Sequence, residues 1–296
     1  MSRSAFASIH WDEKGVPYGT AFDDHYFCAD NGYEEAVHVG VLGNALPERF
    51  RGLDPGEHSL IAFRHPEEPR VPCEAGPAWS KPQALDAGDE GSPKVPPGDS
   101  SPRVRGPRND AKVFTIIETG FGTGLDLCCA WEAWDAFAPA SWKLSFVSLE
   151  LFPVRTEDVG RALGLWPKLA KYREALLAQY APSPGGVQKM SFAGGRVHLA
   201  VVFDEAVSAL KRIREGGLAP NGADAWFLDG FGPSKNPDMW REEVFTEVAA
   251  LSRPGTTFST FTVAGHVRRL LTKHGFAVQK VPAHGKKRQM LAGTFQ

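Results

Sequence analysis

The sequence lacks the features that typify membrane, secreted and metal-dependent proteins. It contains no run of about 18 apolar residues, so we expect no membrane-spanning helix. Its first residues do not follow the charged-then-apolar pattern of a signal peptide. The four cysteines form no Cys-x-x-Cys pair, which favours reduced thiols in the cytoplasm and leaves an organellar address open. The nine histidines show no metal-ligand spacing, and we therefore predict no metal site.

The chain is long enough for one large domain and has enough apolar residues for a core. Its 296 residues are 42% hydrophobic, and its formal net charge of −2 gives no overall attraction to polyanions. Arg64–Lys112 stands apart, because it holds ten of the 23 prolines and few apolar residues. Such a stretch cannot bury enough surface to offset its ordering. We predict an N-terminal extension over 1–63 that packs on the catalytic domain, a flexible insertion over 64–112, and a catalytic domain over 113–296.

Apolar runs alternate with helical patterns after the insertion. The strand candidates are Val113–Ile117, Leu144–Leu149, Val197–Phe203, Ala225–Leu228, Thr257–Phe261, Ala277–Val281 and Met290–Thr294. The helix candidates are Leu125–Phe137, Arg155–Gly164, Trp166–Gln179, Ala206–Glu215, Met239–Leu251 and Ala264–His274. This alternation predicts an α/β fold with a doubly wound, mostly parallel, seven-stranded sheet of Rossmann-like type, whose last two strands are antiparallel. Before the insertion, Val37–Val41 and Leu60–Phe63 are predicted as short strands.

A glycine-rich turn follows the first strand of the predicted sheet. Val113–Leu125 reads Val-Phe-Thr-Ile-Ile-Glu-Thr-Gly-Phe-Gly-Thr-Gly-Leu. Gly120, Gly122 and Gly124 would let the backbone turn sharply and approach a ligand closely. The spacing Glu-x-Gly-x-Gly-x-Gly differs from the Gly-x-Gly-x-x-Gly of dinucleotide sites. It is typical of sites for S-adenosyl-L-methionine (SAM), whose amino-acid part carries no phosphate.

Three acids come at the ends of predicted strands. Glu118, Glu150 and Asp229 close the first, second and fourth of them. Ligands of doubly wound sheets bind at the carboxyl ends of the strands, near the point where the strand order reverses. Glu150 lies one strand over from the glycine turn, and we predict that it accepts hydrogen bonds from ribose hydroxyls. The alternative is that these are ordinary solvated acids.

A second motif, Asp224–Trp240, carries the candidate chemistry. It reads Asp-Ala-Trp-Phe-Leu-Asp-Gly-Phe-Gly-Pro-Ser-Lys-Asn-Pro-Asp-Met-Trp, a buried strand followed by a loop rich in aromatic rings and hydrogen-bonding groups. Methyl transfer to an amine needs a neutral nitrogen held in line with the breaking bond, and a nearby carboxylate can take its proton. We predict Asp229 as that carboxylate, with Asp238 second. The alternative is that Asp229 only caps the loop.

These motifs resemble the methyltransferase domain of the tRNA-modifying MnmC family. The resemblance extends over nearly the whole chain outside Arg64–Lys112. Its further stretches are Gly15-Val-Pro17, Phe22-Asp-Asp-His-Tyr-Phe27, Asn31-Gly-Tyr-Glu-Glu35, Leu42-Gly-Asn44, Glu48-Arg-Phe50, Glu150-x-Phe-Pro153, Arg253-Pro-Gly255, Thr260-Phe-Thr262, Ala264-Gly265, Val267-Arg-Arg269 and Gly285-Lys-Lys-Arg-Gln-Met290. The long loop after Asp229 is highly specific to that family, whereas the glycine turn is not.

The resemblance implies a class I SAM-dependent methyltransferase that acts on the amine of 5-aminomethyl-uridine, often 2-thiolated, at the wobble position of tRNA. The implied cofactor contacts are Glu118, Gly120, Gly122, Gly124, Glu150 and Asp229. The implied acceptor pocket is lined by Asp229 and Phe231–Asn236, with Phe231, Lys235 and Asn236 as substrate contacts. Tyr26 and the Phe22–Asp24 segment would close over the site.

The chain departs from the family at three points. Asp126 stands where the family usually has Asn, which adds a negative charge near a cationic sulfonium. Phe203-Asp204-Glu205 stands where Phe-Gly-Asp is expected, so either Asp204 or Glu205 is predicted to reach the adenine amino group. The FAD-dependent oxidase half of the family is absent from the sequence, so a separate oxidase partner would supply the aminomethyl acceptor.

Basic residues concentrate at the end of the sequence. Val248–Gln296 contains no Asp or Glu and carries eight basic residues: Arg253, Arg268, Arg269, Lys273, Lys280, Lys286, Lys287 and Arg288. This asymmetry favours a basic face for RNA phosphates, with Lys286, Lys287 and Arg288 as contacts in a predicted turn. A solvated helix face is the alternative, and it explains Lys273 well.

Three other functions remain open on the sequence. The first is an NAD-dependent oxidoreductase, against which the missing Gly-x-Gly-x-x-Gly argues. The second is a catalytically idle methyltransferase fold that binds RNA, and the third is a methyltransferase for another amine.

Overall fold

The computed structural model describes residues 6–28, 31–53, 112–285 and 288–296. The insertion predicted over 64–112 therefore lies outside the described residues except for Lys112, as does the strand predicted at Leu60–Phe63. Over the described ranges, no helix combines the length and the apolar character that crossing a bilayer requires.

One eight-stranded sheet organises the fold. Its strands are β4 (Val113–Thr119), β5 (Lys143–Leu149), β6 (Val187–Phe192), β7 (Val197–Val202), β8 (Ala225–Phe227), β9 (Thr257–Thr260), β10 (Phe276–Pro282) and β11 (Gln289–Phe295), in the spatial order β10-β11-β9-β8-β4-β5-β7-β6. The five strands from β9 to β7 are parallel, whereas β10, β11 and β6 pair antiparallel with their neighbours. The chain runs outward from β4 in one direction and later returns to place β8 on its other side. The strand order thus reverses at β4.

Helices cover both faces of this sheet. They are α1 (Gly32–Ala36), a π-helix (Val37–Leu42), α2 (Leu46–Phe50), α3 (Leu125–Phe137), α4 (Thr156–Leu163), α5 (Ala170–Leu177), α6 (Ala206–Glu215), α7 (Glu242–Ala250) and α8 (Gly265–Lys273). Buried residues of α1 to α5 form one core with the sheet, and those of α6 to α8 form a second. A doubly wound, mostly parallel α/β fold is therefore confirmed.

Two predictions about the strands were wrong. The sheet has eight strands rather than seven, because Val187–Phe192 pairs antiparallel with β7 at the edge. This strand is hard to see in the sequence, since polar residues interrupt it and only Met190 and Phe192 are buried. Val37–Val41 is not a strand but part of the π-helix. Its valines alternate as in a strand, yet Val37 and Val41 share one buried side.

Residues 6–53 contribute a second, small sheet and three short helical segments. The small sheet is antiparallel and contains β1 (Ile9–Trp11), β2 (Pro17–Gly19) and β3 (Asp24–His25). Fully buried Asn44 joins the helical part to the large sheet, since its Nδ2 donates to Ser259 Oγ at 2.6 Å and to Trp226 O at 3.2 Å. The helical part of the N-terminal segment is thereby fixed to strands β8 and β9 of the large sheet.

Two described residues that flank the undescribed stretch lie against the same indole ring. A Cβ on Gly52 would be 3.5 Å from the ring of Trp142, and Lys112 Nζ lies 4.8 Å from the centre of that ring. The backbone of Lys112 is also fixed, because its carbonyl accepts from Lys143 N at 2.8 Å. The chain therefore leaves and re-enters the described fold at neighbouring places.

Asp224 ties three strands together at their amino ends. One carboxylate oxygen accepts from Thr115 N at 2.8 Å, and the other pairs with Arg253. Its backbone carbonyl accepts from Arg49 Nη1 at 2.9 Å, which links the N-terminal helices to the same point. The Asp224 side chain is buried, so its negative charge depends on these partners.

We predict that Asp224→Ala lowers the free energy of unfolding by about 2–3 kcal/mol, because it removes a charged hydrogen bond and leaves Thr115 N unpaired. Urea denaturation measures this change. Glu215→Ala is the matched control, since the Glu215 side chain is largely exposed, and it should change the value by less than about 0.5 kcal/mol. Equal losses in the two variants would contradict the role assigned to Asp224.

Candidate active site

A cavity of about 530 Å³ opens at the carboxyl ends of β4 and β8. Its wall combines the glycine turn after β4, the start of α3 and the loop after β8 with residues of β3 and α1. This is the edge at which the strand order reverses, so the general rule for doubly wound sheets places a ligand here.

The glycine turn brings two loops into backbone contact. Gly120, Gly122 and Gly124 have φ values of +100°, +51° and +76°, which side chains other than glycine rarely adopt. A Cβ on Gly120 would lie 3.2 Å from the Cα of Gly230, so the turn after β4 and the loop after β8 touch. Thr119 Oγ1 strengthens this junction by donating to the carbonyl of Asp229 at 2.9 Å.

Glu150 holds the turn from the neighbouring strand. Its Oε2 accepts from Gly122 N at 2.9 Å, and its Oε1 accepts from Phe152 N at 2.9 Å. Burial raises the pKa of this carboxyl, while the backbone donors oppose the shift. Glu150 thus lies directly beside the glycine turn, as expected for a strand-end acid, and its contact with ribose stays a prediction.

Several carboxyls line the cavity, of which Glu118 is buried and Asp126, Asp229 and Glu35 are partly buried. Glu118 and Asp126 both line it, and burial raises the pKa of each well above its usual value, with further repulsion between neighbouring acids. Asp229 acts electrostatically on both, and Glu35 acts on Asp126. Ser148 Oγ donates to Glu118 Oε2 at 2.6 Å, which supports its ionised form.

This arrangement fits a cationic ligand. Acids in a buried cluster repel one another, and a positive charge in the cavity relieves that repulsion. The glycine turn leaves backbone surface open where a Cβ would intrude. The sulfonium and ammonium groups of SAM have the required charge, and the amino-acid part of SAM has no phosphate that the carboxylates would repel.

Asp204 and Glu205 are held by groups of the protein. Asp204 pairs with Arg212 at 3.2 Å, and Glu205 pairs with Arg241 at 2.7 Å. Glu205 also caps α6, because its side chain accepts from Ser208 N. Neither is among the described residues that line the cavity. Their predicted contact with adenine therefore stays a prediction.

The loop after β8 divides between the cavity and the small sheet. Asp229, Gly230 and Gly232 line the cavity. By contrast, the Phe231 ring stacks on Phe22 with 4.7 Å between centroids, and Lys235 pairs with Asp23.

The end of this loop starts a short 3₁₀-helix. The backbone N–H of Asn236 donates to Gly232 O at 2.9 Å, and Asp238 is exposed in the helical turn Pro237–Trp240. Asp229 is thus the member of the motif whose carboxyl lies with the buried acids.

The lining of the cavity contains both predicted site residues and residues that were not predicted. Tyr26 was predicted and lies there, where burial raises the pKa of its hydroxyl. Asp24 belongs to the segment that the resemblance places over the site, whereas Asn31, Glu35, Phe261 and His284 also line the cavity and were not singled out as site residues. Phe261 follows a strand end, so the edge rule could have found it. The others come from the N-terminal segment and a turn, where no spacing pattern marks them.

The basic residues near the end of the chain divide into paired and exposed ones. Arg253 pairs with Asp224, and Lys273 pairs with Glu242 at 2.6 Å, so these two have structural partners. Exposed positions within the described ranges are occupied by Arg268, Arg269, Lys280 and Arg288. Arg288 follows the β10–β11 turn, and His284 of that turn lines the cavity. Lys286 and Lys287 lie outside the described residues.

Comparisons with known proteins show similarity to methyltransferases in sequence and in fold. A family model described as S-adenosyl-L-methionine-dependent methyltransferase matches residues 167–296. The tRNA 5-methylaminomethyl-2-thiouridine biosynthesis bifunctional protein MnmC of Pseudomonas aeruginosa is 40% identical over 296 residues, which are 100% of this chain and 36% of that protein. The protein of the same name from Methylobacillus flagellatus is 39% identical over 98% of this chain and 35% of its own length. This chain thus spans about a third of the curated relatives that it matches.

A solved structure shares the fold. The crystal structure of MNMC2 from Aquifex aeolicus covers 99% of this chain with a TM-score of 0.58 and 17% sequence identity, and the match covers 71% of that chain. At this identity the match supports the architecture of the sheet and its helices.

We predict that, without ligand, Glu118→Gln is more stable than the parent protein and that the difference grows as the pH rises. The folded-state pKa of Glu118 is raised above its ordinary value of 4.5, so the folded state binds more protons than the unfolded state once the pH exceeds about 4.5. Stability therefore falls as pH rises through that window, by roughly 1.4 kcal/mol for each unit of pKa shift. The glutamine removes this penalty and can still accept from Ser148.

Urea denaturation between pH 4 and pH 8 measures the effect. The stability difference between Glu118→Gln and the parent protein should grow with pH and be smallest near pH 4. Glu174→Gln is the control, since the Glu174 side chain is largely exposed. A difference that did not change with pH would contradict the raised pKa of Glu118.

Proposed function

We propose that this chain methylates tRNA, because a family model of S-adenosyl-L-methionine-dependent methyltransferases matches residues 167–296 and the chain is similar over its whole length to about a third of the length of the MnmC proteins. The proposed reaction converts 5-aminomethyl-(2-thio)uridine at the wobble position into 5-methylaminomethyl-(2-thio)uridine. The observation that carries the proposal is the joining of the glycine turn and Asp229 in one cavity, through the contact of Gly120 with Gly230.

The proposed cofactor site uses the groups around the glycine turn. SAM supplies an electrophilic methyl group on a sulfonium sulfur. In this proposal Gly120 and Gly122 leave room for its amino-acid part, Glu150 accepts from its ribose, and Glu118 with Asp126 balances its positive charge. Water is excluded from Glu118, which is buried.

Asp229 has the proposed chemical role. An aminomethyl group is an ammonium ion near neutral pH and must lose a proton before its nitrogen can attack the methyl carbon. The Asp229 carboxylate takes that proton, the nitrogen forms a bond to the methyl carbon, and the bond from this carbon to sulfur breaks. A carboxylate that takes this proton must lie within hydrogen-bond reach of the nitrogen.

The proposal also includes an oxidase and a cytoplasmic site of action. The MnmC relatives from Pseudomonas aeruginosa and Methylobacillus flagellatus are named as bifunctional proteins. An oxidase that removes a carboxymethyl group would produce the aminomethyl acceptor. The free thiols of Cys28, Cys128 and Cys129 support a reducing compartment.

One observation favours a catalytically idle fold as the second candidate. Asp204 and Glu205, the acids predicted to reach adenine, are bound by Arg212 and Arg241. If both remained so engaged in the presence of SAM, the adenine amino group would lack the predicted acceptor and affinity for SAM would be low. A methyltransferase for another amine remains the third candidate.

We predict that labelled methyl groups pass from SAM to tRNA, and that Asp229→Ala lowers the rate about 10²- to 10⁴-fold, because general-base assistance is removed. The assay uses tRNA from cells that cannot complete this wobble modification, and mass spectrometry of the nucleosides identifies the product. Glu215→Ala, an exposed change on α6, serves as control. Cofactor binding without label in tRNA would favour another acceptor, and no cofactor binding would favour the idle fold.

We predict that Arg268 and Arg269 contact RNA phosphates. Both are exposed on α8. This helix follows β9, and Phe261, just after β9, lines the cavity. The logarithm of tRNA affinity falls as the logarithm of salt concentration rises. Replacing each arginine by alanine should make this slope shallower by about 0.7–0.9 for each phosphate that the protein no longer binds. Filter binding of tRNA at several salt concentrations measures the slope. Lys189→Ala, on the far edge strand β6, should leave it unchanged, and equal slopes in all variants would place the RNA elsewhere.

A further inference from the structure

We propose that Lys235 and Asp23 are positioning residues, which hold the small N-terminal sheet in place as the acceptor-facing wall of the cavity. This inference deepens the proposed function and rests on it for the identity of the acceptor. It assigns Lys235 a role different from the substrate contact that the family resemblance implies.

Lys235 is bound to the turn between β2 and β3. Its Nζ donates to Asp23 Oδ2 and forms an ion pair with that carboxylate, while Tyr18 OH donates to the other oxygen, Asp23 Oδ1. Hydrogen bonds from Lys235 and Tyr18 hold the pKa of the Asp23 carboxyl below its usual value. One carboxylate thus joins the second strand of the small sheet to the loop after β8.

The backbone of Asp23 is shaped for this contact. Its φ is +54°, in the left-handed region that residues other than glycine seldom adopt. Asp and Asn are the side-chain-bearing residues that tolerate this region best. The conformation directs the chain from β2 into β3, so that Asp23 faces Lys235 while the next residue, Asp24, reaches the cavity.

Phe231 fills the space between the loop and the sheet. Its ring lies 4.7 Å from that of Phe22 and 5.1 Å from that of Tyr26, and a Cβ on Gly19 would come within 2.8 Å of its Cζ. Trp240 Nε1 fixes the backbone by donating to Phe231 O at 2.9 Å. The ring is therefore used to seat the small sheet rather than to stack on a base.

The consequence of this seating is the composition of the cavity wall. Asp24, His25 and Tyr26 line the cavity, and Asp24 Oδ2 accepts from Gly232 N at 3.3 Å. Asp229 and the glycine turn form a second wall, which touches the first, since a Cβ on Gly122 would lie 3.3 Å from the Tyr26 ring. The lining thus offers an amine carboxyls from both walls, at Asp24 and at Asp229. The pair of Lys235 with Asp23 lies behind the first wall and sets its position.

The first measurement is hydrogen exchange of the backbone amides in segments 17–26 and 229–236. We expect Lys235→Met and Asp23→Asn each to raise exchange in both segments about two- to fivefold, because an exposed ion pair has a modest effect. Asn keeps the backbone preference at position 23, and the double variant should show no further rise. This readout needs neither SAM nor tRNA, so it tests the contact even if the proposed function fails.

The second measurement separates positioning from phosphate binding. Lys235→Met should lower the rate of methyl transfer at saturating SAM about two- to fivefold and leave the salt slope of tRNA binding unchanged. Asp23→Asn, which touches no predicted phosphate contact, should lower the rate equally. Lys189→Met is the matched control for removal of one exposed lysine and should change neither quantity.

Two results would overturn the inference. A fall of about 0.7–0.9 in the salt slope of Lys235→Met, with no change in Asp23→Asn, would make Lys235 a phosphate contact. Unchanged exchange in both segments would show that the small sheet is seated without this pair. If neither the parent protein nor any variant methylated tRNA but the exchange increased as expected, the positioning role would stand and the proposed function would fall.

Discussion

The site depends on one backbone contact, the approach of Gly120 to Gly230 across the ends of β4 and β8. Parallel strands bring their carboxyl ends to the same edge, but side chains would normally keep the two loops apart. Here glycine at both positions removes that spacer, and the hydrogen bond from Thr119 to the carbonyl of Asp229 fixes the distance. The turn that is suited to a cofactor and the carboxylate that is suited to an amine therefore belong to one cavity.

The carboxyls in that cavity favour the binding of a cation and lower the stability of the ligand-free protein. Burial of Glu118 and Asp126 disfavours their ionised forms in the ligand-free protein, and repulsion from other acids, among them Asp229, increases the effect on both. A cation in the cavity would reverse the balance. Asp126 adds to this contrast, since a neutral amide there would carry no charge to bury. Affinity for a positively charged ligand and instability without it thus have the same origin.

The sequence predicted the parts of the fold that depend on local pattern. The six helices after the insertion and the strands β4, β5 and β7 to β11 lie where the sequence pattern predicted them, because apolar residues recur in each at the spacing of a helix or a strand. The edge strand β6 was not predicted, since polar residues interrupt its apolar pattern and one of its sides is exposed. The π-helix was not predicted, because its valines alternate as in a strand. Which of its residues are buried depends on contacts with other parts of the fold.

The site was predictable where it follows strand ends and unpredictable where it depends on packing between distant segments. Glu118, Glu150 and Asp229 follow from the rule that ligands bind at the carboxyl edge. The contributions of Asp24 and Glu35 do not, because they come from the other side of the undescribed stretch and no spacing relates them to the glycine turn. Lys235 shows the same limit, since its partner Asp23 is more than 200 positions away.

Gly52 and Lys112 both lie at the ring of Trp142. The distance between them is therefore set by the fold and is independent of how many residues separate them in the chain. Closing a longer loop costs only about 0.6 kcal/mol for each doubling of its length. Evolution can therefore lengthen or shorten this part of the gene without displacing either wall of the cavity, and the same point is a natural place to graft a tag or a further domain.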